Sequence, residues 1–460
     1  MSQNIDQSIQ SRRHESASLY EKYINPQFLK VLKTIGFHRV YTKGEGAYLY
    51  DADGKKYLDF LSGFGVFNTG RNHLVIREAL KDCLDRLTAN MVQMDCPIRS
   101  GLLAEALIKR SPEGIDTVYF CNSGAEAIEG AIKLAKGATR RPRILSCDGA
   151  FHGLTTGALS LNSDAHFREG FGPLLPGVCH VPFNDLKVLE EELAMKDVAA
   201  FVVEPIQGKG VHIPDSGYLK EAKDLCDRYG SLLIVDEIQT GLGRTGRFFA
   251  FEYDKVIPDI ITLAKGLSGG YIPIGAVLTR RSHFLKVFSS MERSVVHSST
   301  FKENDLAMTA GLATLKVLDD EKLSERADRM GHLLLCKLKD LQDRFQLLQD
   351  VRGKGLMIAL EFGKPESLKL KTAWKLIQKG KKGLFAQMVV MALLDRHHIL
   401  CQVAGHDLEV IKLLPPLVIT EKEVDTFIKS LSQVLEDCHK FPGALWDFGL
   451  TLAKNTLKSR

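Results

Sequence analysis

The chain has no Cys-x-x-Cys pair among its nine cysteines. Structural zinc sites and dithiol redox motifs use that spacing, and an odd number of scattered thiols does not make a disulfide framework. The expectation is a reducing compartment and no metal. No apolar run reaches the roughly 20 residues that a membrane-crossing helix needs; the longest, Leu384 to Leu394, is interrupted by Gln387. The opening Met1-Ser2-Gln3-Asn4-Ile5-Asp6 lacks the apolar core of a secretion signal. There is no large excess of one charge: 61 Lys and Arg against 56 Asp and Glu leave +5 over 460 residues. That gives no case for nucleic acid. The basic clusters Arg140-Arg141-Pro142-Arg143 and Lys379-Gly380-Lys381-Lys382 have none of the interleaved aromatics of a single-strand binder and are expected on solvated loops. A soluble cytoplasmic protein is expected, with no nucleic-acid or membrane partner.

What is present is enough for two or more folding units. Ala47 to Tyr50 and Lys56 to Phe60 flank Asp53-Gly54, so a hairpin is expected there. Between about residues 100 and 280, short apolar runs alternate with helical stretches. The runs are Val118 to Phe120, Arg143 to Leu145, Ala200 to Val203, Leu232 to Val235, Ile260 to Leu263 and Ala276 to Leu278. Runs apolar on both faces predict an α/β fold, with a mostly parallel central sheet covered by helices. Helical pattern over 306–318 and 323–345, then strand-like Leu356 to Phe362, predicts a smaller α+β unit. The expected layout is an arm over 1–40, the first part of the small unit over 41–90, the large unit over 91–319, the rest of the small unit over 320–440, and a tail over 441–460.

Two charged residues stand where surface charges do not belong. Lys265 follows an apolar β-branched run and precedes glycines, and Asp236 closes another such run. Burial lowers a lysine pKa, and a depressed lysine suits Schiff-base chemistry. A carboxylate can keep a pyridine nitrogen protonated and so make the ring an electron sink. Cys121-Asn122-Ser123-Gly124-Ala125-Glu126-Ala127 follows a strand and opens a helix. Small residues there offer backbone N–H groups to a phosphate, although such residues also merely cap helices. Phe151-His152-Gly153 lies in a loop, where the aromatic could stack on a planar ring. Asp236-Glu237 could instead end a nucleotide-hydrolase strand, but no Gly-x-x-x-x-Gly-Lys-Ser/Thr loop exists. Gly241-Leu242-Gly243-Arg244-Thr245-Gly246 fits the dinucleotide fingerprint formally, yet no amphipathic helix follows. It reads as a decoy, a flexible loop beside the acid.

Ser-Gly-Ala-Glu-Ala at 123–127, Phe-His-Gly at 151–153, Glu-Pro-Ile-Gln-Gly at 204–208, Val-Asp-Glu-Ile-Gln-Thr-Gly at 235–241, Lys265 and Ser-Thr-Phe at 299–301 occur in that order. Over residues 40 to 435 the chain resembles the class III aminotransferases, the ornithine, acetylornithine, putrescine and omega types. The resemblance implies the fold-type I architecture of pyridoxal-phosphate-dependent transferases, pyridoxal 5'-phosphate as cofactor, and a homodimer with active sites shared between subunits. It also implies roles. Lys265 binds the cofactor and moves the proton, and Asp236 pairs with the ring nitrogen. Ile238 and Phe151 pack on the ring faces, and Gln239 reaches the phenolic oxygen. Ser123, Gly124 and Ala125 cradle the phosphate, joined by Thr300 with Ser299 from the partner subunit. Glu204 and His152 stand behind these contacts.

The departures from the family pattern concern substrate. Lys209 stands where relatives using glutamate commonly carry a glutamate, and Lys412 where they carry an arginine. Lysine cannot make the bidentate fork to a carboxylate. Phe64 replaces a tyrosine of ornithine-type enzymes, and Leu154 replaces a cation of some relatives. Lys302-Glu303-Asn304 also departs from the usual small-Gly-Asn. These residues favour a ping-pong aminotransferase with one apolar amine, aldehyde or ketone substrate. The alternatives are an ordinary amino-acid enzyme of the ornithine, acetylornithine or putrescine type, or an aminomutase, decarboxylase or racemase using the same cofactor. A cofactor-less relative is disfavoured by Lys265, Asp236 and Gln239 together.

Overall fold

The computed structural model describes residues 2–378, 382–406, 408–443, 445, 446 and 449. In chain order its strands begin with β1 (Tyr41–Glu45), β2 (Tyr48–Asp51) and β3 (Lys56–Asp59). Next come β4 (Thr117–Cys121), β5 (Arg143–Cys147), β6 (Val178–Val181), β7 (Val198–Val203), β8 (Leu232–Asp236), β9 (Ile260–Leu263) and β10 (Gly275–Thr279). The last are β11 (Leu348–Lys354), β12 (Met357–Phe362), β13 (Ile399–Leu400), β14 (Gln402–Val403) and β15 (Val410–Leu413).

The central sheet has seven strands in the order β4-β10-β9-β8-β7-β5-β6. Its neighbours from β9 to β6 run parallel, and only β10 is antiparallel to both β9 and β4. Every residue of β7, β8, β9 and β10 is buried, as expected of strands covered on both faces. The helix Gly124–Thr139 covers one face with Ala127, Ile128, Ala131 and Ala135. Those small residues at helical spacing let it lie close against the strands. The strand β6 was not expected: its half-buried Val178, Cys179 and His180 lie at the sheet edge, without the apolar run that marks the others.

The expected hairpin is β2 and β3, paired antiparallel from Tyr48–Leu58 to Tyr50–Lys56. With β1 and β13 they form one four-stranded sheet, and β11-β12-β15-β14 form another. The expected helices are Asp305–Asp320 and Leu323–Arg344. The arm contains the helices Ser2–Ser11, Ser16–Tyr23 and Pro26–Thr34. In the tail, Trp446 is buried and donates from Nε1 to the Cys438 carbonyl at 2.8 Å; residues 450–460 lie outside the described residues.

Two expectations are corrected. The first basic cluster is not simply solvated: Arg141 donates from Nη1 to the carbonyls of Tyr229 (2.8 Å) and Val198 (3.1 Å). Arg143 pairs with Glu192 and Asp197. Both arginines tie loops at the start of parallel strands, where carbonyls need donors. Of the second cluster, residues 379–381 lie outside the described residues and Lys382 is exposed. The Gly241-to-Gly246 segment is buried throughout, not a flexible loop. Arg244 fixes it, donating from Nη1 to the carbonyls of Leu356 (3.0 Å) and Pro415 (2.5 Å) and from Nη2 to Asn68 Oδ1 (2.7 Å).

Candidate active site

Parallel strands in such sheets present ligands beyond their carboxyl ends, and the sequence puts its two anomalous charges there. Asp236 is the last residue of β8, and Lys265 follows β9 by two positions. Asp236 pairs in register with Thr262 of β9. Both residues line one cavity of about 440 Å³, with Ser123, Gly124 and Ala125 on its wall.

Asp236 is buried and held by three donors. Its Oδ1 accepts from the Ile238 N–H (3.0 Å) and the Thr262 hydroxyl (3.1 Å), and its Oδ2 from His152 Nδ1 (2.7 Å). For His152, burial works against protonation, but the hydrogen bond and charge of Asp236, with the charge of Glu204, outweigh it and raise its pKa. Among the described residues, the buried His152 Nε2 has no hydrogen-bond partner. Burial lowers the Lys265 pKa below the usual lysine value, while the charges of Asp236 and Glu204 oppose this. Lys265 also has φ +38°, a left-handed backbone that a side chain with a Cβ rarely adopts. Burial pushes the Glu204 carboxyl up, although it accepts from the N–H groups of Gly208 (2.8 Å) and Phe151 (3.1 Å).

The phosphate-cradle candidates open a helix of 16 residues whose N-cap is Ser123, its hydroxyl accepting from the Glu126 N–H at 3.1 Å. The first N–H groups of a helix have no acceptor within it and, with the helix dipole, suit an anion. A Cβ on Gly124 would stand 3.0 Å from Ile238 Cδ1, so Ile238 and the cradle are in contact. A bare amine, a fixed carboxylate and a helix N-terminus on one cavity fit the carbonyl, ring nitrogen and phosphate of pyridoxal phosphate.

The remaining expected residues separate. Phe151, His152, Glu204, Ile238 and Gln239 line the cavity. Within the same chain, Ser299 Oγ accepts from Asn122 Nδ2 at 2.7 Å, beside the cradle. Thr300 is exposed, and its carbonyl accepts from Gln93 Nε2 at 3.0 Å. The four substrate candidates Phe64, Leu154, Lys209 and Lys412 are not among the lining residues. Phe64 and Leu154 are exposed. Lys209 forms an ion pair with Asp164. Lys412 is buried and donates to the Gly208 carbonyl (2.6 Å) and Gln239 Oε1 (3.2 Å). Burial, and then the charge of Lys265, lower its pKa to about 7. Asn122, Thr262 and Asp164 were not singled out from sequence. Asn122 adjoins Ser123, and its role shows only where the fold brings it to Ser299; Thr262 lies in the β-run before Lys265, and only its pairing with Asp236 across strands reveals its role.

Residues 33–435 match the family model of aminotransferase class-III, and the chain belongs to that family. The family works with pyridoxal phosphate. Among solved structures, the chain is similar to an ornithine aminotransferase from Toxoplasma gondii, crystallised with partial occupancy of that cofactor at the active site. The two are 33% identical with a TM-score of 0.83, over 95% of this chain and 99% of that one. It is also similar to an (S)-enantioselective omega-transaminase from Thermomicrobium roseum, at 30% identity and a TM-score of 0.79, over 92% of this chain and 98% of that one. A curated relative, the aminotransferase PigE of Serratia sp., is 33% identical over 93% of this chain, which spans 54% of that protein's length.

Proposed function

We propose that this chain is a pyridoxal-phosphate-dependent aminotransferase. It moves an amino group from an amine or amino-acid donor to an oxo-acid, aldehyde or ketone acceptor, in two half-reactions at one site. The observation that carries this is Lys265 and Asp236 on one cavity at the ends of neighbouring parallel strands. When bound, the cofactor supplies the carbonyl that takes up the amino group and a ring that draws electrons from the reacting carbon. Lys265 would hold it through Nζ and then take and return a proton with the same amine, a role its lowered pKa favours. Asp236 would pair with the ring nitrogen, while Ile238 and Phe151 would confine the ring. Gln239 would face its phenolic oxygen. Ser123, Gly124 and Ala125 would take the phosphate, and Thr300, with Ser299, would reach it from the partner subunit. Glu204 and His152 would act through their neighbours.

The substrate reading is an apolar amine or its aldehyde or ketone, with an amino acid as the other partner. Among the described residues, the cavity lining has no cationic side chain apart from Lys265 and His152, and Val66, Ile272 and Ile274 contribute to its wall. Lys209 and Lys412 are already paired with protein groups, so neither offers a free charge to a carboxylate. The Toxoplasma gondii neighbour favours a second reading, an ornithine-type enzyme. Turnover of alkyl amines, diamines and α-amino acids tests the choice: activity confined to ornithine or acetylornithine would overturn the apolar reading. Lys265→Ala is expected to abolish both turnover and the visible absorbance of bound cofactor; retention of both would defeat the enzyme assignment.

A homodimer belongs to this reading. A groove of about 730 Å³ includes Met91, Ile98, Tyr119, Phe288 and Val295 in its lining, and Leu87, Met94 and Met291 are highly exposed nearby in sequence. Contiguous apolar surface of this kind marks an interface, and light scattering of the purified protein checks the mass. Residues 41–90 and 320–440 are proposed to form one smaller unit. Support comes from Phe60 stacked on Phe427 at 4.3 Å and from the Leu414 N–H on the Phe60 carbonyl at 2.8 Å. A cytoplasmic setting is supported by nine free cysteines.

A further inference from the structure

We infer that Lys412 is a positioning residue: its amine braces the Gln239 side chain, and through it the turn that presents Phe64, instead of binding a substrate carboxylate. The inference deepens the substrate reading above and rests on it.

Lys412 lies in β15 between Ala359 of β12 and Gln402 of β14, and is only 6% exposed. Its Nζ donates to the Gly208 carbonyl at 2.6 Å and to Gln239 Oε1 at 3.2 Å. An amide whose oxygen accepts from lysine must turn its nitrogen toward another acceptor. Gln239 Nε2 accordingly donates to the Phe64 carbonyl at 3.0 Å. Phe64 belongs to a run of four left-handed residues, Ser62, Gly63, Phe64 and Gly65, with φ of 47°, 60°, 65° and 81°. For Ser62 and Phe64 that backbone is strained and persists only where neighbours over-determine it. Asp59 Oδ1 secures the start of the turn, accepting from the N–H groups of Leu61 (3.0 Å) and Ser62 (2.8 Å). Gln239 secures Phe64.

Gln239 and Val66 line the cavity while Lys412 does not, so Lys412 acts from behind the wall. A carboxylate reaching Nζ would have to compete with the buried Gly208 carbonyl and the half-buried Gln239 Oε1, and lysine has no second fork to offer. The lowered pKa of about 7 agrees with an amine that braces neutral groups.

The test compares the unmutated holoenzyme with Lys412→Met, Gln239→Ala and the double variant. Two quantities are read: the rate of cofactor loss on dialysis, followed by visible absorbance, and KM for an alkyl amine and for the α-amino acid with the same side chain. Lys412→Met is expected to speed cofactor loss and raise both KM values by a similar factor, up to roughly tenfold, as loss of one buried hydrogen bond implies. Gln239→Ala should do the same, and the double variant should be no worse than the larger single effect. A KM rise confined to the amino acid would make Lys412 a carboxylate anchor and overturn the inference. Additive effects of the two substitutions would overturn it as well. Where Lys412→Met does not fold, Lys412→Gln, which keeps one donor, carries the comparison. Cofactor loss reads the brace whatever the substrate, so failure of the brace and failure of the substrate reading are told apart.

Discussion

His152 and Asp236 are joined by a 2.7 Å hydrogen bond from Nδ1 to Oδ2, with both side chains buried. Asp236 raises the His152 pKa against the effect of burial. A base with a folded-state pKa above its unfolded value of about 6.5 contributes stability that is full below that value. The contribution is lost as pH rises through the folded pKa. The unmutated protein should therefore be more stable than His152→Gln by about 1–3 kcal/mol at mildly acidic pH, with the margin shrinking as pH rises. Urea midpoints measured across pH check this; a margin that grows with pH would contradict it.

Lys412 titrates with the opposite sign. Its folded pKa of about 7 lies below the ordinary value of 10.5. Between these two values the unfolded chain binds the extra proton, so stability rises with pH there. Relative to Lys412→Met, the unmutated holoenzyme should be weakest below about pH 7, where the folded state carries the buried charge, and should gain toward pH 10. Thermal midpoints of both proteins over pH 6 to 10 would reveal the trend, and parallel curves would refute it.

Gly275 of β10 pairs with Cys121, and a Cβ there would come within 2.5 Å of the Ser123 carbonyl and 2.7 Å of Cys121 Sγ. The backbone of the phosphate cradle would have to shift. Gly275→Ala is expected to weaken cofactor binding by roughly tenfold or more, since misplacing a phosphate contact forfeits about a charge-assisted hydrogen bond. Equilibrium dialysis with pyridoxal phosphate measures it, and unchanged affinity would show that the cradle tolerates the methyl group.

Arg244 is fully buried among three acceptors from separate parts of the chain, Asn68, Leu356 and Pro415. Burial lowers its pKa to about 9, while the charge of Asp59 opposes this. Arg244→Met leaves those acceptors unpaired and should cost about 3 kcal/mol or more. A urea midpoint within error of the unmutated protein would argue against the bond set. Because the same loop follows Gln239, cofactor loss should quicken too.

The apolar runs revealed β7, β8, β9 and β10 because strands buried on both faces must be apolar on both faces. For the same reason Asp236 and Lys265 stood out as charges at the ends of such runs. The edge strand β6 and the donor Thr262 were not legible: an edge carries little apolar signal, and a partner 26 residues away, as Thr262 is to Asp236, is found only through strand pairing. Arg244 looked like part of a decoy glycine loop because its acceptors come from distant segments of the chain.

The sequence by itself determined the family, the cofactor and the two charges that handle it, since order and spacing of short motifs suffice for chemistry fixed within single turns. The uses of Lys209 and Lys412 were decided only by tertiary structure. Both are cations in the sequence, but one meets Asp164 and the other is buried against Gly208 and Gln239. A lysine's charge and reach depend on the dielectric and the acceptors around Nζ, and those come from chain segments that meet only in the fold.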